Sequence, residues 1–235
     1  MHKLPCALVA CTAIALLAQF TTSAQDSRFY LKGDLGGALT EDTDLKEPVF
    51  VLPPPRQAHK VKFDPGARVG FTAGYQITDW VSAEAELGTM VNSLPSSSEF
   101  LWFIGGQGPF FMHDARLANV PLLLNLNLRY PNRSRWTPYI GGGCGVSAAI
   151  LDMDTESGPD FGSFSSGHDT EADAVFAYQG FAGLCYRLSD RLKISVEYRY
   201  FATESPHWTM NVPGSNIGFG AIKTHSISLA LDYRF

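Results

Sequence analysis

The chain has 235 residues, 45% hydrophobic and 17% charged, with 22 Gly, 14 Pro and a formal net charge of −5. The charged share lies below the roughly 25% of ordinary soluble domains, while 16 Phe, 9 Tyr and 4 Trp give it far more to bury than a disordered chain has. The acidic balance argues against a nucleic-acid partner, which needs a basic face to displace counterions.

The first residues read as an export signal. Met1-His2-Lys3 is a short positive start, Leu4 to Phe20 carries no charge, and Thr22-Ser23-Ala24 supplies small residues before Gln25-Asp26. A cleaved signal peptide is therefore expected over 1–24, leaving 25–235 as one domain. The alternative of a spanning helix needs about 20 apolar residues, and this run is short and broken by Cys, Thr and Gln. Leu8-Val9-Ala10-Cys11 resembles a lipoprotein box, but cutting there would leave the most apolar stretch on the mature chain.

From Phe29 onward the pattern is alternation with a period of two, the signature of strands with one apolar face. Phe29, Leu31, Gly33, Leu35, Gly37 and Leu39 share the first such face. The pattern returns over 67–77, 81–91, 120–130, 139–148, 176–187, 192–200 and 226–235. Eight strands are predicted, most of ten or more residues, a length that suits tilted membrane-spanning strands of about 9–11 residues. The connections alternate in length as well. Thr78-Asp79, Pro131 to Arg135 and Ser189 to Arg191 are short; 40–64, 92–114, 151–173 and 202–222 are long. Short turns at one end and long loops at the other predict an all-β, eight-stranded antiparallel up-and-down transmembrane barrel.

The polar face separates this fold from a soluble barrel, in which an apolar interior faces a polar outside. It carries Lys32, Arg68, Arg129, Arg187, Lys193, Arg199 and Arg234 against Asp34, Glu84, Glu86, Glu197 and Asp232. Near-balance of sign is expected of a closed interior, because an unpaired buried charge costs several kcal/mol. These twelve residues are the expected interior charge network. The apolar face ends in Tyr75, Trp80, Tyr130, Trp136, Tyr186, Tyr233 and Phe235, as an interfacial aromatic girdle does.

The sequence resembles the small eight-stranded outer-membrane β-barrels, the group of opacity-type surface antigens and OmpA-like transmembrane domains. The resemblance is carried by Phe29-Tyr30-Leu31-Lys32-Gly33-Asp34-Leu35-Gly36-Gly37, Gly70-Phe71-Thr72-Ala73-Gly74-Tyr75-Gln76, Thr137-Pro138-Tyr139-Ile140-Gly141-Gly142-Gly143, Glu197-Tyr198-Arg199-Tyr200-Phe201 and Leu229-Ala230-Leu231-Asp232-Tyr233-Arg234-Phe235. It implies an outer-membrane location with lipid and lipopolysaccharide as neighbours. It also implies that Leu229, Leu231, Tyr233 and Phe235 form the signal read by the barrel-assembly machinery. It does not imply a function, because such barrels serve diverse roles.

Four constellations invite chemistry. Cys144 and Cys185 fall on neighbouring strands but opposite faces and at different heights, so two free thiols are expected. His59, His113, His168 and His207 fall one in each long loop without the close spacing of metal ligands, so no metal or other cofactor is expected. Glu204, His207, Ser215, Asn216 and His225 gather around the last long loop. Outer-membrane lipid A deacylases set His and Ser two residues apart on one strand face; here His207 and Ser215 are eight apart, and His225-Ser226 point to opposite faces. Eight strands leave an interior that side chains fill, which disfavours a wide pore. Loop two carries Phe100-Leu101-Trp102-Phe103-Ile104 and Pro109-Phe110-Phe111-Met112, expected either to extend the flanking strands or to meet a partner. Loop one holds the stiff Pro53-Pro54-Pro55, and loop three is acidic and rich in Gly and Ser. The expected function is non-enzymatic: a structural and surface-interaction protein whose four long loops face outward and can meet an extracellular partner. A lipid A hydrolase and a narrow channel are the alternatives.

Overall fold

The computed structural model describes residues 28–46, 60–95, 102–104, 107–157, 166–209 and 216–235. The expected signal segment, Pro53-Pro54-Pro55 and Ser215 lie outside the described residues. Eight strands form the barrel: β1 (Phe29–Thr40), β2 (Gly66–Gln76), β3 (Val81–Ser93), β4 (Gln107–Arg129), β5 (Trp136–Ser157), β6 (Ser166–Arg187), β7 (Leu192–Thr203) and β8 (Lys223–Arg234). Each pairs antiparallel with its neighbours in the chain, and β1 pairs with β8 to close the ring. The expected fold is the observed one.

The register fixes the shape of the barrel. From Leu39 the pairing runs to His225, Tyr200, Gly180, Gly142, Leu126, Ala83, Tyr75 and back to Phe29, ten residues below its start. A stagger of that size in eight strands tilts them by about 40° and leaves an interior only wide enough for side chains. Inward and outward positions alternate sharply: Leu124 is 72% exposed and Leu123 only 1%. The exposed set is large and apolar (Leu35, Phe71, Leu122, Leu126, Ile140, Ile227, Leu229), as a wall solvated by lipid requires. At the short-turn end its aromatic residues pair, Phe29 with Tyr75 at 4.9 Å and Trp136 with Tyr186 at 4.7 Å.

Three aromatic rings lie inside on glycines, Tyr30, Tyr139 and Phe181, the last over Gly141 of the neighbouring strand. Tyr30 pairs with Gly74 and Tyr139 with Gly183 across neighbouring strands. A Cβ added at Gly74 would meet Tyr30 Cζ at 2.1 Å, and one at Gly183 would meet Tyr139 Cζ at 2.4 Å. Only the missing side chain lets each ring lie flat against the wall.

The strand lengths correct the reading of the loops. β1, β2, β3, β7 and β8 have 11 to 13 residues, whereas β4, β5 and β6 have 23, 22 and 22. Much of the expected loops, over 107–114, 151–157 and 166–173, is strand, and Trp102–Ile104 pairs with Gln107–Phe110 beside it. These three strands form a tall wall above the others. The signal was missed because the faces invert. In β5 the outward series Val146, Ala148, Ile150 becomes Asp152, Asp154, while the inward series becomes Ala149, Leu151, Met153, all buried. Beyond the lipid the outside is water, so the apolar residues change sides. β4 also bulges between His113 and Arg116, where Asp114 takes a φ of 46°, a left-handed conformation that Asp tolerates better than most residues.

Candidate functional site

The lumen is the most elaborate site in the molecule. Glu86 on β3 is its hub. It accepts from Arg68 Nη2, from Arg199 Nη1 at 2.7 and 2.6 Å, from Gln179 Nε2 at 2.7 Å and from Asn125 Nδ2 at 2.8 Å. Arg68 Nε also donates to Asp34 at 2.9 Å, and Arg199 Nη2 donates to Glu197. Glu197 further accepts from Lys32 at 3.0 Å and from the Tyr139 hydroxyl at 2.9 Å. Phe181 lies among the cations, its ring 4.9 Å from the Arg199 guanidinium and 5.5 Å from Lys32 Nζ. Tyr30 donates to Glu84, as does Asn127 at 2.9 Å, and Arg129 lies 3.9 Å from Glu84. Each charge is buried with an opposite partner, which desolvation demands.

Eight of the expected interior charges thus gather in the lumen: Lys32, Asp34, Arg68, Glu86, Glu197 and Arg199 linked by direct bonds, and Glu84 with Arg129 beside them. The remaining four depart from the expectation. Arg187 is exposed at the barrel lip and makes no ion pair among the described residues; it has inward parity, but the lumen ends before it. Lys193 is half-buried without a direct ion pair among the described residues, Arg234 donates to Gln76, and Asp232 is buried with Oδ1 accepting from no described residue. Sequence reasoning missed Tyr30, Asn125, Asn127, Tyr139 and Gln179. Their inward parity was legible, but neutral polar residues are equally at home on a solvated face.

Above the charges the lumen turns apolar. Met90, Leu123, Ala177 and Phe201 form one buried layer. Over it the inner face of the tall wall, with Ala115, Leu117, Ala149, Leu151, Met153 and Val175, packs against Trp208, Ile217, Phe219 and Ile222 of the last connection and Val61 of the first. Trp208 sits edge-on to Phe219 with ring centroids 5.0 Å apart, and its Nε1 donates to Ala149 O at 2.8 Å. The cap is built from short pairings, His207–Thr209 with Asn216–Gly218 and Thr43–Asp44 with Lys60–Val61, tied by a Leu45–Phe219 bridge. No periodicity announces it, because each piece has two or three residues.

The other expected positions scatter. Cys144 faces outward and Cys185 inward, and both are free thiols. They pair with Tyr178 and Thr137 respectively, seven positions apart along β5. His59 lies outside the described residues, and nothing is described of the His113 side chain. His168 Nδ1 lies 2.8 Å from Asp154 Oδ1, and His207 donates its backbone N–H to Asp173 at 2.8 Å. Of the hydrolase candidates, Glu204 is exposed, and His225 and Ser226 point to opposite sides, Ser226 into the lumen. His225 instead lies between Glu41 and Tyr198, 2.8 Å from Glu41 Oε1 and 2.7 Å from the Tyr198 hydroxyl. The hydrogen bond from His225 holds the exposed Glu41 carboxyl below its ordinary range. Among the described residues no group of three metal-ligating side chains occurs.

The sequence matches, over residues 6–235, the family described as outer membrane protein beta-barrel domain. The chain belongs to that family. It is accordingly an outer-membrane barrel, and barrels of this kind turn their short connections to the periplasm and their long loops outward. Among solved structures it is similar to the outer membrane protein AlkL, determined in lipid bilayers, at 16% identity and a TM-score of 0.53, over 92% of this chain and 94% of that one. It is also similar to OprG from Pseudomonas aeruginosa, at 15% identity and a TM-score of 0.52, over 89% and 97%. Neisserial surface protein A aligns at 13% identity and a TM-score of 0.48, over 89% and 98%. At these identities the likeness is one of fold. No curated protein sequence matches the chain.

Proposed function

We propose that this outer-membrane barrel is a non-enzymatic structural and surface-interaction protein. The observation that carries the reading is the double filling of the lumen, by a charge network below and an apolar cap above. A lumen filled at both levels disfavours a wide channel. Lipid A hydrolysis, the reading from another class, finds weak support: the Glu41–His225 pair ends on the phenol of Tyr198, and Ser226 faces the lumen. In this reading the four long loops meet partners, and among the described residues the outward face of the tall wall, where Asp114, Arg116, Asp152 and Asp154 meet water, is the surface they offer. The apolar outer wall supports lipid and lipopolysaccharide as neighbours. In this reading residues 1–24 are removed on export, and Leu229, Leu231, Tyr233 and Phe235 address the assembly machinery.

The test is mass spectrometry of lipid A before and after incubation with refolded barrel, with conductance in planar bilayers on the same preparation. A heat-dependent gel shift confirms folding first. Unchanged lipid A and a silent bilayer fit the proposal. Loss of an acyl chain, or stepwise open-channel currents, would reject it.

A further inference from the structure

The periplasmic mouth of the lumen carries charge that the network above it does not use. An open recess there is lined by Tyr30, Arg129, Arg191, Lys193, Asp232 and Arg234. Four of these six are cations. Arg129 is partly offset by Glu84 at 3.9 Å, and the Asp232 carboxylate, opposite Lys193 in the β7–β8 register, offsets a second. Two positive charges remain in surplus, with the exposed Arg187 beside Lys193 in the β6–β7 register. Among the described residues neither Lys193 nor Arg191 is within ion-pair distance of a carboxylate. In a chain of net charge −5, this concentration of cations at one end is a local inversion of sign.

We propose that this recess binds a tetrahedral oxyanion that carries a proton, with inorganic phosphate as its simplest form. The surplus of two charges matches the monohydrogen phosphate dianion. Arginine and lysine donors arrayed around a half-enclosed site make the short, charge-assisted bonds that such oxygens accept. Asp232 sets the selectivity. Its carboxylate lines the recess among the cations. An anion without a proton meets that carboxylate as bare repulsion, whereas the P–O–H of phosphate donates to it. Sulfate, which has the same shape but carries no proton near neutral pH, is therefore the discriminating competitor.

The experiment uses the full-length barrel refolded in uncharged detergent, titrated calorimetrically at low ionic strength and neutral pH with sodium phosphate and, separately, sodium sulfate. One saturable phosphate site is expected, with sulfate weaker by roughly tenfold or more, the worth of one hydrogen bond to a charged group. Arg191→Gln with Lys193→Gln, both near the solvent, is expected to weaken phosphate by at least roughly tenfold while leaving the gel shift intact. Asp232→Asn is expected to bring sulfate close to phosphate. If that variant does not fold, the wild-type preference for phosphate over sulfate decides the matter alone. Absence of saturable phosphate binding overturns the proposal, as does sulfate binding as tightly as phosphate. Phosphate affinity unchanged in the double variant overturns it too.

Discussion

Arg199 on β7 holds both carboxylate oxygens of Glu86 on β3, at 2.7 and 2.6 Å. The two strands lie four places apart in a ring of eight, so this pair spans the diameter of the barrel. It joins residues 113 positions apart in sequence and braces opposite walls that share no backbone hydrogen bond. Its position explains why the network is built around Glu86: the carboxylate sits where donors from β2, β4, β6 and β7 all reach it.

Removing that hub should be costly. Glu86→Gln leaves the buried Arg199 and Arg68 without their shared anion, and a loss of about 3–5 kcal/mol is expected in urea unfolding from lipid vesicles. The pair Glu86→Leu with Arg199→Met should lose much less, because Arg68 keeps Asp34 and Glu197 keeps Lys32. Equal losses for the single and double variants would mean that the network contributes volume rather than charge pairing.

The glycine–tyrosine contacts make a steric prediction. Gly74→Ala drives a methyl into the Tyr30 ring, and a destabilisation of about 1–3 kcal/mol is expected. Adding Tyr30→Leu to Gly74→Ala should recover part of it, since the clash goes with the ring. Gly37→Ala, where a Cβ meets nothing within 4 Å, serves as the silent control.

The cap should open apart from the barrel. Trp208→Ala removes a fully buried indole and its bond to Ala149 O, a loss of about 3–5 kcal/mol for a core aromatic. The loss is expected to fall on the cap, as faster proteolysis near 207–218 with the heat-dependent gel shift retained. Loss of the gel shift would place the indole among the determinants of the barrel itself.

His168 provides a pH signature on the tall wall, ten residues beyond Tyr178 and clear of the lipid. Its hydrogen bond to Asp154, with Asp152 3.6 Å away, raises its pKa above the ordinary histidine value. A raised folded-state value means the pair contributes fully below the unfolded pKa and fades as pH rises through the folded one. Proton-detected titration should give a midpoint above that of free histidine, and Asp154→Asn should move it down. A midpoint unaffected by Asp154→Asn would show that the contact does not persist in solution.

The barrel was legible in the sequence because lipid and lumen impose opposite demands on successive residues. A period of two over Val120, Leu122, Leu124, Leu126 and Leu128 has no other economical reading, and the charged parity of Arg68, Glu86 and Arg199 foretold a paired interior. The upper half of β4, β5 and β6 was not legible as strand, because there water replaces lipid and Leu151 and Met153 trade sides with Asp152 and Asp154.

By itself, then, the sequence determined the strand number, the faces at membrane height and the signs of the interior charges, since each follows from local alternation against a fixed solvent. Only the tertiary structure decided which charges meet, which stay at the mouth, and what closes the top. Glu86 finds Arg199, and Trp208 finds Ala149, through a register accumulated around the whole ring. Closure is a property of all eight strands together, and no local pattern records it.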